Sequence, residues 1–275
     1  MKIEGVEITH PEKVIFPAKK ITKGDMAEYY AEVADIMLPY LKNRPLTLKR
    51  FPAGIKNKGF YQKNASDHFP RYIKLIEIET EDGVNTQILC NNKKTLIYLV
   101  NQNTVAFHIW LSRKDKIRQP DKVIFDLDPP ADSFEKVKEA AKTLRNYLQK
   151  KNIDPNLMTT GQNGLHIYYD IRRGKDFDEV KTQVKSMADE LVELRPDLLT
   201  TKIRKDQRDG KIFVDYLRNA YAQTGICPYS LRSNEEAGIA TPIEWEELEK
   251  LESASYFNFE NILDRIKNNT NNQKN

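Results

Sequence analysis

Apolar and polar positions along this chain follow two periods, and the changes between them mark out its elements. Met26, Tyr29, Tyr30, Val33, Met37 and Leu41 recur at helical spacing, which predicts an amphipathic helix over 23–41. In front of it, Thr22-Lys-Gly-Asp25 forms a capping box, in which hydroxyl and carboxylate each bond the other's backbone N–H. Pro39 makes the last turn irregular. Alternating β-branched and aromatic residues between Gly, Asn and Pro predict short strands at 46–51, 59–63 and 84–90. The run 95–102 fits strand or helix, and 105–111 reads as a strand leading into the basic segment 112–122.

The second half is patterned more sharply. Residues 122–128 form an apolar strand stopped by Pro129 and Pro130. Asp132 and Glu135 open a helix that buries Phe134, Val137, Ala141, Leu144 and Leu148, and a strand follows at 156–160. Strand, helix, strand implies a crossover that returns beside the first strand. A Gly161-Gln-Asn-Gly164 turn leads into a strand whose Leu165, Ile167, Tyr169 and Ile171 share one face, with His166, Tyr168 and Asp170 on the other. Asp176 and Glu179 cap a third helix carrying Val180, Val184, Met187, Leu191 and Leu194, and 211–217 is a further strand. The globular unit is expected over 1–263, with 264–275 a polar, disordered tail. A chain that starts at Met1 and ends in such a tail reads as a stand-alone product.

Composition adds exclusions. With 39% hydrophobic residues among 275 there is material for a packed core, and the 31% charged residues describe its surface. A net charge of +4 alone says little about an acidic partner. Cys90 and Cys227 are far apart and form no C-x-x-C pair, which excludes a zinc ribbon or disulfide framework and fits the cytoplasm. No apolar run is long enough for a membrane span, and the N-terminus has no signal-peptide core.

The chemistry lies in the acids. Residues two apart on a strand project to one face about 6.6 Å apart, so Asp126 and Asp128 point together while Phe125 and Leu127 face the core. No cation stands beside them in sequence, and oxygen-only ligands suit Mg²⁺ or Mn²⁺. Two such ions, roughly 3.5–4 Å apart, usually need a third carboxylate. Asp215, a lone acid in the apolar strand Ile-Phe-Val-Asp-Tyr-Leu, is the candidate. The bland alternative is a solvated D-x-D at a strand end, a pattern shared by glycosyltransferases and many hydrolases. His166 follows a turn whose glycines permit positive φ and close approach, so Thr160, the turn amides and the imidazole can face a phosphate chain.

Taken together, Phe-Asp-Leu-Asp-Pro (125–129), Thr-Gly-Gln-Asn-Gly-Leu-His (160–166) and Val-Asp-Tyr-Leu-Arg-Asn (214–219) resemble the three ordered motifs of the archaeo-eukaryotic primase superfamily. More narrowly they are similar to the polymerase domain associated with bacterial DNA ligase D. Segments 22–25, 43–50, 60–64, 107–110 and 228–232 resemble that family in order and spacing, so the likeness covers about residues 6 to 250. It implies an α+β fold with two antiparallel or mixed sheets and flanking helices around a central cleft. It implies Asp126, Asp128 and Asp215 as catalytic residues and ligands of two Mn²⁺ or Mg²⁺ ions. Lys49, His108, Thr160, His166, Arg208 and Arg232 would meet the NTP or dNTP, with ribonucleotides preferred. Lys13 and Lys23 would hold a DNA 5′-phosphate, and Phe60 and Tyr61 would stack on bases. Asn163 and Arg218 depart from the family, which often carries Lys and Gln there.

The lysines at 13, 19, 20 and 23 straddle the start of the first helix, where free N–H groups and the dipole favour an anion. A solvated lysine run is the plainer account. Phe51, Phe60 and Tyr61 interleave with cations as a nucleic-acid platform does, although alternation puts Phe60 and Tyr61 on opposite faces. The expected function is therefore template-directed, primer-extending nucleotidyl transfer at gaps or ends during DNA break repair, in the cytoplasm and near the nucleoid. The alternative is a catalytically silent 5′-phosphate-end binder within a non-homologous end-joining assembly with Ku and a DNA ligase.

Overall fold

The computed structural model describes residues 1–80, 83–130 and 133–272. Two short hairpins, β1 (Lys2–Ile3) with β2 (Val6–Glu7) and β3 (Val14–Phe16) with β4 (Ile21–Thr22), precede α1 (Lys23–Glu32) and α2 (Ala34–Leu41). The capping box forms: Thr22 Oγ1 accepts from the Asp25 N–H at 3.1 Å, and Asp25 Oδ2 accepts from the Thr22 N–H at 2.8 Å. The helix expected over 23–41 is divided at β-branched Val33, yet each apolar residue of its stripe is buried. Then come β5 (Pro45–Arg50), β6 (Phe60–Gln62), β7 (Lys74–Thr80), β8 (Gly83–Leu89), α3 (Lys93–Asn101) and β9 (Thr104–Trp110). The ambiguous run 95–102 is mostly helix, because the Asn92 side chain accepts from the Thr95 N–H at 2.8 Å and so caps α3.

The second half holds β10 (Lys122–Asp128), α4 (Phe134–Lys150), β11 (Asn156–Thr159), β12 (Leu165–Asp170), α5 (Phe177–Leu194), β13 (Leu199–Thr200), β14 (Ile212–Asp215), β15 (Thr224–Ile226), β16 (Thr241–Ile243) and α6 (Ile262–Asn272). The α4 cap expected at Asp132 lies outside the described residues, and Ser133 makes no side-chain bond there. The Asp176–Glu179 box on α5 is present, but Leu194 in its last turn is exposed. From Asp264 through Asn272 the expected tail is helical, and its residues 273–275 lie outside the described residues. Ile262 anchors it in the core, and Arg265 bonds Glu247 and the Pro242 carbonyl.

The architecture is α+β with two sheets. One runs β15-β9-β5-β8-β7, with β6 also on β5; the other runs β13-β14-β10-β12-β11-β16 and is antiparallel except for the β13–β14 pair. The crossover from β10 through α4 does not return beside β10. The turn at 160–164 folds β12 back between β10 and β11, antiparallel to both. Helix α3 packs on β9, and α4 on β10 and β12.

Strand alternation turns one face of each sheet toward the other. Val123, Phe125, Leu127, Ile167 and Val214 lie in the large core, while Ile124, Met158 and Tyr168 from the second sheet meet Ala106 and Ile226 from the first in a smaller cluster. Polar residues on those same alternate positions, His108, Asp126, Asp128, His166 and Asp215, are thereby gathered into the space between the sheets.

Candidate active site

Register brings the acids together. Asp126 stands opposite Asp215 of β14 on one side and His166 of β12 on the other. His166 Nε2 is 3.4 Å from Asp126 Oδ1, and its buried Nδ1 has no hydrogen-bond partner. Asp126 is 6% exposed. Burial works against its ionisation, but His166 and Arg218 outweigh it by charge and hydrogen bonding and hold its carboxyl well below the usual range. Asp128 and Asp215 shift the other way, pushed up by burial first and then by the charge of Asp126.

The cation that the local sequence lacks arrives from across the sheet. Arg218 Nε lies 3.2 Å from Asp126 Oδ2 and 3.5 Å from Asp215 Oδ2. It sits on the 3-10 turn Leu217–Asn219, whose first N–H bonds Asp215 Oδ1 at 2.8 Å. Asn219 pins that turn to β10: it accepts from the Ile124 N–H at 3.0 Å and donates to the Ile124 carbonyl at 2.7 Å. Sequence reading noted Arg218 only as a departure from a family pattern. The one available signal was its i+3 spacing from Asp215, which a tight turn converts into contact.

His108, Asp126, Asp128, His166, Arg218 and Arg232 line a cavity of about 140 Å³, and Asp215 reaches it through Arg218. Its lip is the 160–164 loop. Thr160 Oγ1 donates to the Gly164 carbonyl at 2.9 Å, so that hydroxyl shapes the loop. Gly161 has φ +70°, but Gly164 is needed for space: a Cβ there would stand 2.3 Å from the Leu127 carbonyl oxygen. Arg232 donates to the Thr160 carbonyl at 3.2 Å and bonds Gln162, and burial pushes its guanidinium down to about 10. Burial, then Arg232 and Arg218, hold the His108 imidazole well below its ordinary value, so it is neutral at pH 7.

The other candidates are distributed around this cavity. Lys49 Nζ lies over the Tyr61 ring at 5.2 Å, and that ring meets His108 edge-on at 5.8 Å, which brings Lys49 and Tyr61 to the rim. Phe60 faces the other way, beneath Arg50. Arg208 NH1 is 4.0 Å from Asp128 Oδ2. Lys13 and Lys23 are neighbours, since the Lys23 N–H bonds the Lys13 carbonyl at 2.8 Å. The Lys23 ammonium, however, is buried and donates to Thr9 Oγ1 at 2.9 Å and the Asn101 carbonyl at 3.3 Å. Lys19 pairs with Glu236 and Glu260. Among the described residues, no three His, Cys, Asp or Glu side chains converge closely enough to grip a metal ion.

Residues 22–272 match the family described as LigD, primase-polymerase domain. The chain is 33% identical over 264 residues to the bifunctional non-homologous end joining protein LigD of Bacillus subtilis, covering 95% of this chain and 42% of that protein. It is 30% identical over 263 residues to the multifunctional protein LigD of Pseudomonas aeruginosa, covering 95% and 31% respectively. The solved structure of the polymerase domain from Mycobacterium tuberculosis ligase D in complex with DNA matches with a TM-score of 0.90 at 28% identity, over 96% of this chain and 94% of that one. The chain thus spans less than half the length of these curated relatives. Among the described residues no helix is long and apolar enough to cross a membrane.

Proposed function

The chain belongs to the LigD primase-polymerase family, and on that footing we propose that it is a template-directed nucleotidyltransferase that extends a primer 3′-hydroxyl at gaps or ends during DNA break repair. One observation carries this reading: β10, β12 and β14 place Asp126, His166 and Asp215 side by side, next to a cavity lined by Arg232 and His108. The acids fit divalent cations, because burial and mutual repulsion leave Asp128 and Asp215 reluctant to ionise without added positive charge. When bound, Mg²⁺ or Mn²⁺ ions on Asp126, Asp128 and Asp215 supply activation of the attacking hydroxyl and neutralisation of phosphate charge.

The chain's own residues do the rest. Arg232 brings a buried positive charge to the triphosphate, and such preorganised charge acts strongly where water is excluded. Neutral His108 contributes a hydrogen bond without adding to the cationic field. His166 has a free Nδ1 for a phosphate oxygen while its Nε2 faces Asp126. The cavity takes phosphates, leaving sugar and base to the rim formed by Lys49 and Tyr61, with Thr160 setting the loop beneath and Arg208 flanking Asp128. Ribonucleotides are the favoured substrates, Lys13 and Lys23 the 5′-phosphate contacts, Tyr61 and Phe60 the base-stacking rings, and Ku and a DNA ligase the partners, in the bacterial cytoplasm.

The test is extension of a primer on a gapped duplex with a downstream 5′-phosphate, using Mn²⁺ and either rNTPs or dNTPs. Wild type adds nucleotides and the Asp126→Ala, Asp128→Ala double variant does not; equal extension by both would overturn the reading. A catalytically silent end-binding module draws support from the Arg218 pairing, which already neutralises the acids. It predicts salt-sensitive binding to phosphorylated ends with no incorporation.

A further inference from the structure

Arg218 is placed as no phosphate contact alone requires. Its guanidinium sits against two buried carboxylates from different strands. The guanidinium and a divalent cation held by those oxygens would crowd one small volume as like charges. The two buried acids are 9% and 11% exposed at their side chains, but Arg218 is 40% exposed, so its head can leave without unpacking the core. Asn219 holds the backbone of the turn to Ile124, which confines the movement to the side chain. The cavity that Arg218 already lines is also lined by Arg232 and His108, and offers an anion the charge of the one and a hydrogen bond from the other.

We infer that Arg218 is a built-in counter-ion of the acid centre, holding the place of a divalent cation between Asp126 and Asp215 until the phosphates of a nucleoside triphosphate draw it away. The inference rests on the metal site proposed above. It makes metal and nucleotide binding mutually reinforcing: each tightens the other by the same factor. It also accounts for the lack of a three-ligand cluster among the described residues, since two of the three acids turn toward the arginine.

The experiment is calorimetric titration of Mn²⁺ into the full chain without DNA, with and without a nucleoside triphosphate blocked at the α,β-bridge. Arg218→Gln keeps hydrogen-bonding capacity and removes the charge. It should bind Mn²⁺ at least tenfold tighter than wild type when nucleotide is absent, and nucleotide should improve Mn²⁺ affinity far more in wild type than in the variant. Melting in EDTA gives a second reading: Arg218→Gln melts below wild type, and Mn²⁺ restores it. Equal or weaker Mn²⁺ binding by Arg218→Gln, or the same nucleotide enhancement in both, overturns the inference. Should Arg218→Gln not fold, Arg218→Met, which keeps much of the side chain's bulk and removes the charge, serves in the same titration and should bind Mn²⁺ at least tenfold tighter than wild type; no change overturns the inference. Adding Asp126→Asn to the variant separates the two claims. If Asp126→Asn leaves Mn²⁺ binding intact, the metal site itself is wrong; if it abolishes binding while Arg218→Gln changes nothing, only the counter-ion fails.

Discussion

The acid centre and the lysine pair at the start of α1 are both clusters of charge suited to metal or phosphate, and the fold uses them in opposite ways. Three strands deliver Asp126, Asp215 and His166 to one face, and the cation that answers the acids, Arg218, remains 40% exposed beside a cavity. Lys23 is 2% exposed, and its ammonium is spent on a threonine hydroxyl and a backbone carbonyl. Lys13 bonds the Pro52 carbonyl. Charges whose partners are charged and reachable are poised to exchange them for a ligand. A charge satisfied by neutral groups in the interior must first give up those bonds to reach a phosphate.

The largest effect that this contrast predicts is at the acids. Asp126→Ala with Asp128→Ala should lower primer extension by on the order of a thousandfold or more, while melting changes little, because relief of the repulsion among the acids offsets the lost attraction to Arg218, which keeps Asp215. Arg232→Ala comes next, with kcat/KM for nucleotide down by about a hundredfold, because a buried, pre-aimed charge on the phosphate wall is lost. Single-turnover rates across nucleotide concentrations check both. Comparable losses from Lys13→Ala would erase the distinction between the two regions.

Gly164→Ala probes the same centre through its backbone. The added methyl would press on the Leu127 carbonyl, between Asp126 and Asp128. Displacing β10 should cost about 1–3 kcal/mol in urea unfolding and lower activity, whereas Gly210→Ala, at φ +70° with open space around it, should show only the backbone cost.

The contrast also explains what the sequence could reveal. A strand's pleat commits each side chain to a face, so Asp126 with Asp128 could be read as facing together and His166 as lying on the polar face of its own strand from spacing alone, as could the opposite directions of Phe60 and Tyr61; Asp215 was a candidate by its lone place in an apolar strand and by resemblance. Strand β7 carried the same signal in Ile76-Glu77-Ile78-Glu79 but sits on a sheet edge with Leu75 exposed, and it was missed. Strand order was not legible, because nothing in the 160–164 turn states that β12 inserts between β10 and β11. Arg218 was not legible as a partner of Asp126, since that contact depends on how β14 pairs with β10. A lysine beside a helix start has no pleat to aim it, so Lys23 was free to turn inward.

The smallest effect concerns Lys23 and sharpens the contrast most directly. Lys23→Met keeps the length of the side chain and removes two hydrogen bonds from a charged donor, leaving the Asn101 carbonyl without that partner. Relief from burying an ammonium opposes this loss, so the net destabilisation should be about 1–2 kcal/mol, against roughly 0.5 kcal/mol or less for Lys13→Met. Burial, and then the charge of Lys13, lower the Lys23 pKa in the folded chain. At pH values between that lowered pKa and the unfolded value of about 10.4, the unfolded state therefore binds more protons, and stability rises with pH. Wild type should consequently gain stability relative to Lys23→Met as pH rises through that window, read as the difference between their urea midpoints. If Lys23 instead serves chiefly as a phosphate contact, Lys23→Met will leave those midpoints unchanged while abolishing the preference for 5′-phosphate over 5′-hydroxyl ends, and its burial in the free chain will have been a poor guide to its use.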